Sequence, residues 1–174
     1  MKNSLLREAT AGEAWLRKYP ERTVLVVSVD ETHRPNIITL GWNMPTSHTP
    51  PMALISVGVT RHSHELIQAS KEFVLVFPSI ELEAAARYCG THSGRDVDKF
   101  KETGLTPVPA KYVQPPLIAE GIVNMECKVV GALRTGDHTV FAGEIVTAYL
   151  SQAPKNVLFN MGPDEHGRRR FRGF

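Results

Sequence analysis

The chain has 174 residues, 42% of them hydrophobic, and 20 Lys and Arg against 18 Asp and Glu leave a net charge of +2. That apolar content excludes a disordered chain, and the near-balanced charge gives no electrostatic case for a nucleic-acid or membrane partner. Cys89 and Cys127 form no Cys-x-x-Cys pair, which argues against a disulfide framework and fits a reducing compartment. Arg7, Glu8 and Glu13 interrupt the N-terminal stretch, so it supplies no signal-peptide core, and no apolar run approaches the length of a bilayer span. Together these features predict one soluble, cytoplasmic domain over residues 1–174.

In chain order, a helix is predicted over residues 5–19, ended by Pro20. A β-branched run at 23–29 leads through the turn chemistry of Asp30 to Pro35 into a second strand at 37–42. Residues 41–51 read as a polar loop carrying Trp42, Asn43, Thr46 and Ser47, before a third strand at 52–59. Ser63 is the expected N-cap of a helix containing Glu65, Leu66 and Ile67, and a strand follows at 73–77. Ser79 opens a helix over 81–88. Ser93-Gly94-Arg95-Asp96 has capping-box spacing before a helix over 97–102, which Gly104 stops. Residues 106–116, with Pro107, Pro109, Pro115 and Pro116, form a loop. Long strands at 121–133 and 140–150 flank a turn at Arg134 to His138, and Gly143 predicts a bulge or a close backbone approach. Six strands on short connections predict a mainly β, antiparallel barrel with short peripheral helices. The chain has neither the Gly-x-Gly-x-x-Gly fingerprint nor a P-loop, so a nucleotide-like cofactor would be held by another device.

Three segments carry candidate chemistry. Gly41 would let the backbone approach a flat ligand and Trp42 would cover it, although an ordinary loop has the same look. Arg61-His62-Ser63 sits at a helix start, where free N–H groups, a guanidinium and a hydroxyl suit a phosphate; a plain cap beside a solvated arginine fits equally. Ser93 to Asp96, with Lys99 one turn on, repeats that chemistry, and the two starts read either as converging on one phosphate or as unrelated caps. His62 and His64 stand at spacing i, i+2, which does not face one ligand, and the pairs Cys89/His92 and Asp137/His138 lack further ligands, so no metal site is predicted. The arginines from Arg168 to Arg172 read as a solvated or partner-clasping end rather than a nucleic-acid tail.

In this order the residues resemble the flavin reductase-like FMN-binding split-barrel family, most closely its flavoredoxin-type branch. The resemblance rests on Thr39-Leu40-Gly41-Trp42-Asn43, Pro50-Pro51, the run from Arg61 to Ile67, and Cys89-Gly90. It continues through Ser93 to Phe100, Met125-Glu126-Cys127, Gly136-Asp137-His138 and Gly143 to Val146, covering about 24–149 in register. It implies a six-stranded antiparallel Greek-key split barrel that dimerises, with non-covalent FMN in a groove at the dimer interface. The implied cofactor-binding set is Thr39, Leu40, Gly41, Trp42, Asn43, Arg61, His62, Ser63, Cys89, Ser93, Arg95 and Lys99, with the first five along the ring and Arg61 and Ser63 on the phosphate. Gly136-Asp137-His138 would help shape a reductant pocket. Flavin reductases proper carry small hydroxyl or amide residues where this chain has Gly41-Trp42, and residues after Leu150 match the pattern poorly. The implied activity is oxidoreduction, with hydride from NAD(P)H to flavin N5 and electrons onward to an acceptor, requiring no catalytic acid or base. The alternative is a non-enzymatic FMN electron carrier with a protein redox partner, and a third reading, a DNA-binding split barrel, rests on the arginine-rich end alone.

Overall fold

The computed structural model describes residues 5–153 and 155–174. Helix α1, Ala11–Trp15, continues as a 3-10 turn, Leu16–Lys18. It is shorter than the predicted helix because Thr10 and Glu13 form a capping box that fixes its start six residues late. Then come β1 (Glu21–Arg22), β2 (Val24–Val29), β3 (Pro35–Leu40), β4 (Asn43–His48), β5 (Pro51–Gly58), α2 (His62–Ser70) and β6 (Glu72–Phe77). A 3-10 turn at Ile80–Leu82 leads into α3 (Glu83–Thr91), followed by α4 (Lys99–Thr103), β7 (Pro107–Val108) and β8 (Leu117–Ile118). The chain ends with β9 (Val123–Thr135), β10 (His138–Leu150), β11 (Leu158–Pro163) and β12 (Arg169–Gly173).

The main sheet is antiparallel and seven-stranded, in the order β3-β2-β6-β9-β10-β5-β4. Its outermost strands, β3 and β4, are joined by Gly41 and Trp42 alone. Three Cα steps span at most about 11 Å, so the sheet must curl until its two edges meet, and the barrel follows from connectivity. The seventh strand is β4, which replaces the loop expected over 41–51. Its side chains are mostly exposed, so it lacks the apolar alternation that reveals a strand. Pro45 sits there at a register irregularity on the sheet's edge, where proline is tolerated.

Apolar residues form two clusters. Val24, Val26, Ile55, Phe73 and Phe141 fill the barrel, while Leu25, Val27, Val74, Val76, Ala86 and Phe100 pack under α3 and α4. Strand β2 is therefore buried on both faces, which is why Val24 to Val29 is apolar at every position but Ser28. Gly143 sits at a register shift, and a Cβ there would lie 2.5 Å from Phe73 Cζ, so both expectations for this glycine hold.

Two helix starts differ from expectation. Arg61, not Ser63, is the N-cap of α2, and Ser63 is buried in the first turn. Ser93 closes a turn by accepting bonds from Asp96 and Val97, and the side chain of Asp98 caps α4. The C-terminal residues form a hairpin, β11–β12, that pairs with β1 as a three-stranded sheet.

Candidate functional site

The Gly41-Trp42 seam, the start of α2, and the end of α3 with its following turn open onto one groove of about 580 Å³. Thr39, Leu40, Gly41, Trp42, Arg61, His62, Ser63, Cys89, Ser93, Arg95 and Lys99 all line it. Asn43 does not. Its amide donates back to the carbonyls of Arg22 (3.3 Å) and Gly41 (3.2 Å), and it faces a neighbouring cleft with Met44 and Leu54.

Lys99 is 4% exposed and donates to the Ile37 carbonyl at 2.6 Å and the Cys89 carbonyl at 2.8 Å. No carboxylate among the described residues pairs with it, and one of its three N–H donors remains. Burial holds this ammonium below the usual lysine range; the Cys89 thiol opposes the shift and the Arg61 charge adds to it. The Arg61 guanidinium makes no hydrogen bond or ion pair with any described residue. Ser63 Oγ accepts from Asn36 Nδ2 at 2.7 Å, leaving its own hydroxyl proton without an acceptor among the described residues. One side of the groove thus presents two unpaired cations, a hydroxyl and the first turn of a helix.

Other expected residues are engaged elsewhere. Thr39 Oγ1 donates to the Ala86 carbonyl at 2.6 Å, tying β3 to α3. Arg95 pairs with Glu65 at 2.6 Å, and that ion pair holds the Glu65 carboxyl below its usual range. Cys89 offers its carbonyl to Lys99, while burial pushes its thiol up to about 11. A Cβ on Gly41 would lie 2.2 Å from Glu21 Oε1, so the glycine admits the Glu21 carboxylate. Glu21 in turn binds Lys18 and accepts from Asn160 at 3.0 Å.

Trp42 is 47% exposed and stands between two rings, His138 at 4.8 Å and Trp15 at 6.4 Å, with Lys18 Nζ 5.3 Å from its centroid. His138 Nδ1 lies 2.7 Å from Asp137 Oδ1, and this bond keeps the Asp137 carboxyl below its usual range. A carboxylate only accepts, so Nδ1 carries the proton and Nε2 is the free position.

A family model described as the flavin reductase like domain matches residues 16–171. The chain belongs to the flavin reductase-like family. It is 42% identical over 128 residues to an uncharacterized protein of Archaeoglobus fulgidus, covering 74% of this chain and 71% of that one. Among solved structures it resembles a flavoredoxin of Methanosarcina acetivorans, with 27% identity, a TM-score of 0.79, and coverage of 90% of this chain and 86% of that one. It also resembles an NADH:FAD oxidoreductase of Streptomyces globisporus, with 26% identity, a TM-score of 0.80, and coverage of 97% of each chain. The expected flavin-binding, oxidoreductase-type family and the split-barrel fold are therefore established, and the family match reaches into the C-terminal hairpin.

That hairpin and the N-terminal segment through β1 supply several groove residues that sequence reasoning missed. Trp15, Lys18, Glu21 and Arg169 line it beside Asn36 and Gly94. Asn36 carried a usable signal, since an amide at the head of an apolar strand run needs a buried partner. Arg169 had none, because nothing in its neighbourhood of arginines distinguishes one from the next. Among the described residues no helix is long and apolar enough to cross a membrane, and no group of three or more His, Cys, Asp and Glu is placed to hold a metal ion.

Proposed function

We propose that the groove holds FMN and that the protein is an NAD(P)H-dependent FMN oxidoreductase of the cytoplasm. The observation that carries this reading is Lys99, an ammonium buried without an anion beside the unpaired Arg61. A buried cation without a counter-charge is costly, and a ligand phosphate would offset that cost. Ser63 and the first turn of α2 would donate to the same phosphate, and the Thr39 to Trp42 segment would lie along the ring and ribityl chain. The residues fit the group. A bound flavin supplies the hydride and electron chemistry. The protein's part is to fix the phosphate, let Trp42 and Trp15 exclude water from one side, and present His138 Nε2 as a site where a proton is held or received.

The homodimer is part of this reading. Met44, Leu54, Val140 and Leu133 share the outward side of neighbouring strands β4, β5, β10 and β9. Met44 and Leu133 are exposed there, which suits a covered face. Sedimentation showing a monomer at micromolar concentration would remove that element.

The test is direct. Purified protein should be yellow, release FMN on denaturation, and bleach in a stopped-flow instrument when mixed with NADH or NADPH. Arg61→Ala should weaken FMN binding about tenfold or more while barely changing riboflavin binding; equal losses place the phosphate elsewhere. A flavin that stays oxidised with both nucleotides would favour the second reading, an electron carrier reduced by a protein partner. The likeness to flavoredoxin supports that alternative.

A further inference from the structure

Asn36 stands near the start of β3, paired with Ser28 of β2, and is only 4% exposed although it lines the groove. The two ends of its amide have different surroundings. Nδ2 donates to Ser63 Oγ at 2.7 Å, across 27 residues of sequence. Oδ1 is buried without a hydrogen-bond partner among the described residues. That oxygen lies against the turn before α4, where a Cβ on Gly94 would be 2.0 Å from Oδ1 and 2.7 Å from Cγ. Glycine at 94 therefore leaves the room that the amide occupies.

Packing does not account for an amide at this position. Leucine has nearly the same shape and would bury no orphaned acceptor. What leucine lacks is the donor. A hydroxyl that accepts from an N–H keeps its own proton for a second partner, and the Ser63 proton has no acceptor among the described residues. The next residue of the strand holds a second member of the site, since the Ile37 carbonyl accepts from Lys99 Nζ at 2.6 Å. Ile37 is itself fully buried. One dipeptide of β3 thus fixes both the hydroxyl from α2 and the ammonium from α4.

We infer that Asn36 is a positioning residue for the anion in the groove: its amide fixes Ser63 Oγ as an acceptor, so that the Ser63 proton is donated to a phosphate oxygen. The inference rests on reading the groove as the site of a flavin phosphate. Asn36 acts through Ser63, so removing either side chain should cost the same interaction, and cost it once.

The experiment is a double-mutant cycle. Wild type, Asn36→Leu, Ser63→Ala and the double variant are titrated as apoprotein with FMN, riboflavin and inorganic phosphate. Each single variant should raise the Kd for FMN and for inorganic phosphate about fivefold, and the double variant should lose no more than Ser63→Ala alone. Riboflavin, which has no phosphate, should change less than about twofold in every variant. If the leucine protein does not fold, Asn36→Asp takes its place, because it keeps the size of the amide while its carboxylate can only accept from Ser63. Its loss of FMN affinity should be smaller in the Ser63→Ala background than in wild type. The inference is overturned if Asn36→Leu binds FMN as wild type does, if the two single losses add in the double variant, if riboflavin weakens as much as FMN, or if the aspartate loss is equal in both backgrounds. Wild-type protein that takes no flavin but shows this pattern with inorganic phosphate would sink the flavin reading and leave the positioning role standing; protein that binds neither would sink both.

Discussion

Replacing Glu126 by glutamine tests whether a buried carboxylate clamps the proline-rich loop onto the barrel. Glu126 is fully buried on β9, and four donors converge on it. Lys111 N and Tyr149 Oη each lie 2.8 Å from Oε1, while Tyr112 N at 2.5 Å and Val113 N at 3.1 Å reach Oε2. Burial alone would raise this carboxyl, but the bonds from Lys111, Tyr149, Tyr112 and Val113 outweigh it and hold it below the usual carboxylate range. Glutamine keeps one oxygen and sets an NH2 against the remaining donors. Its cheaper orientation keeps the Tyr112 and Val113 bonds, orphans Lys111 N, and releases the partly exposed Tyr149 hydroxyl toward water. One orphaned backbone donor plus the lost charge assistance costs about 2–4 kcal/mol. Urea unfolding of Glu126→Gln should show that loss at pH 7, with faster amide exchange at residues 111–113. The sign of the pH dependence follows from the shift. A carboxyl depressed in the folded state stabilises above its unfolded value and loses that contribution as pH falls through its folded value. The gap between wild type and variant should therefore close in acid. A variant within 0.5 kcal/mol of wild type at pH 7, with unchanged exchange, would refute the reasoning.

Two further outcomes are expected. Gly143→Ala puts a methyl group 2.5 Å from Phe73 Cζ and 3.1 Å from Cys127 Cβ, and overpacking of this kind costs about 1–3 kcal/mol; an unchanged melting midpoint would mean that the bulge yields freely. Burial pushes the Cys89 thiol up to about 11 and Cys127 up to about 12, so neither should react with iodoacetamide at pH 8 until urea unfolds the chain. Rapid stoichiometric labelling of the native protein would contradict this.

The parts of the fold legible in the sequence are those where burial and periodicity agree. Strands β2 and β6 are written in β-branched and aromatic residues because the barrel interior and the helices enclose them, and β9 and β10 are marked by the buried positions on one face of each. Strand β4 was hidden because its pairing with β5 is made by backbone bonds that leave its side chains in solvent. The C-terminal hairpin was hidden for a related reason: its exposed arginines mask the few residues that anchor it, Leu158 in the core and Asn160 against Glu21. In the candidate site, Arg61, Ser63 and Lys99 are legible as residues that share one groove because helix starts and basic residues carry a recognisable local chemistry. The division of labour among them was not legible. That Arg95 is neutralised by Glu65, while Lys99 has only carbonyls for company, depends on contacts spanning 30 and 62 residues. At Gly41 the structure adds a demand that the sequence does not show, room for the Glu21 carboxylate.

The joint at Gly41-Trp42 has a consequence for how such a protein can vary. Those two residues are the whole covalent bridge between the sheet's outer edges, so their number behaves like a ring size: an inserted residue would alter the barrel's circumference before it altered the groove. Ordinary binding loops diversify by changing length, and this one has little freedom to do so. Change in what the groove accepts must instead come from the identity of the side chain at position 42, or from the N-terminal helix and C-terminal hairpin, which attach to the barrel's outside and can be exchanged without reopening it.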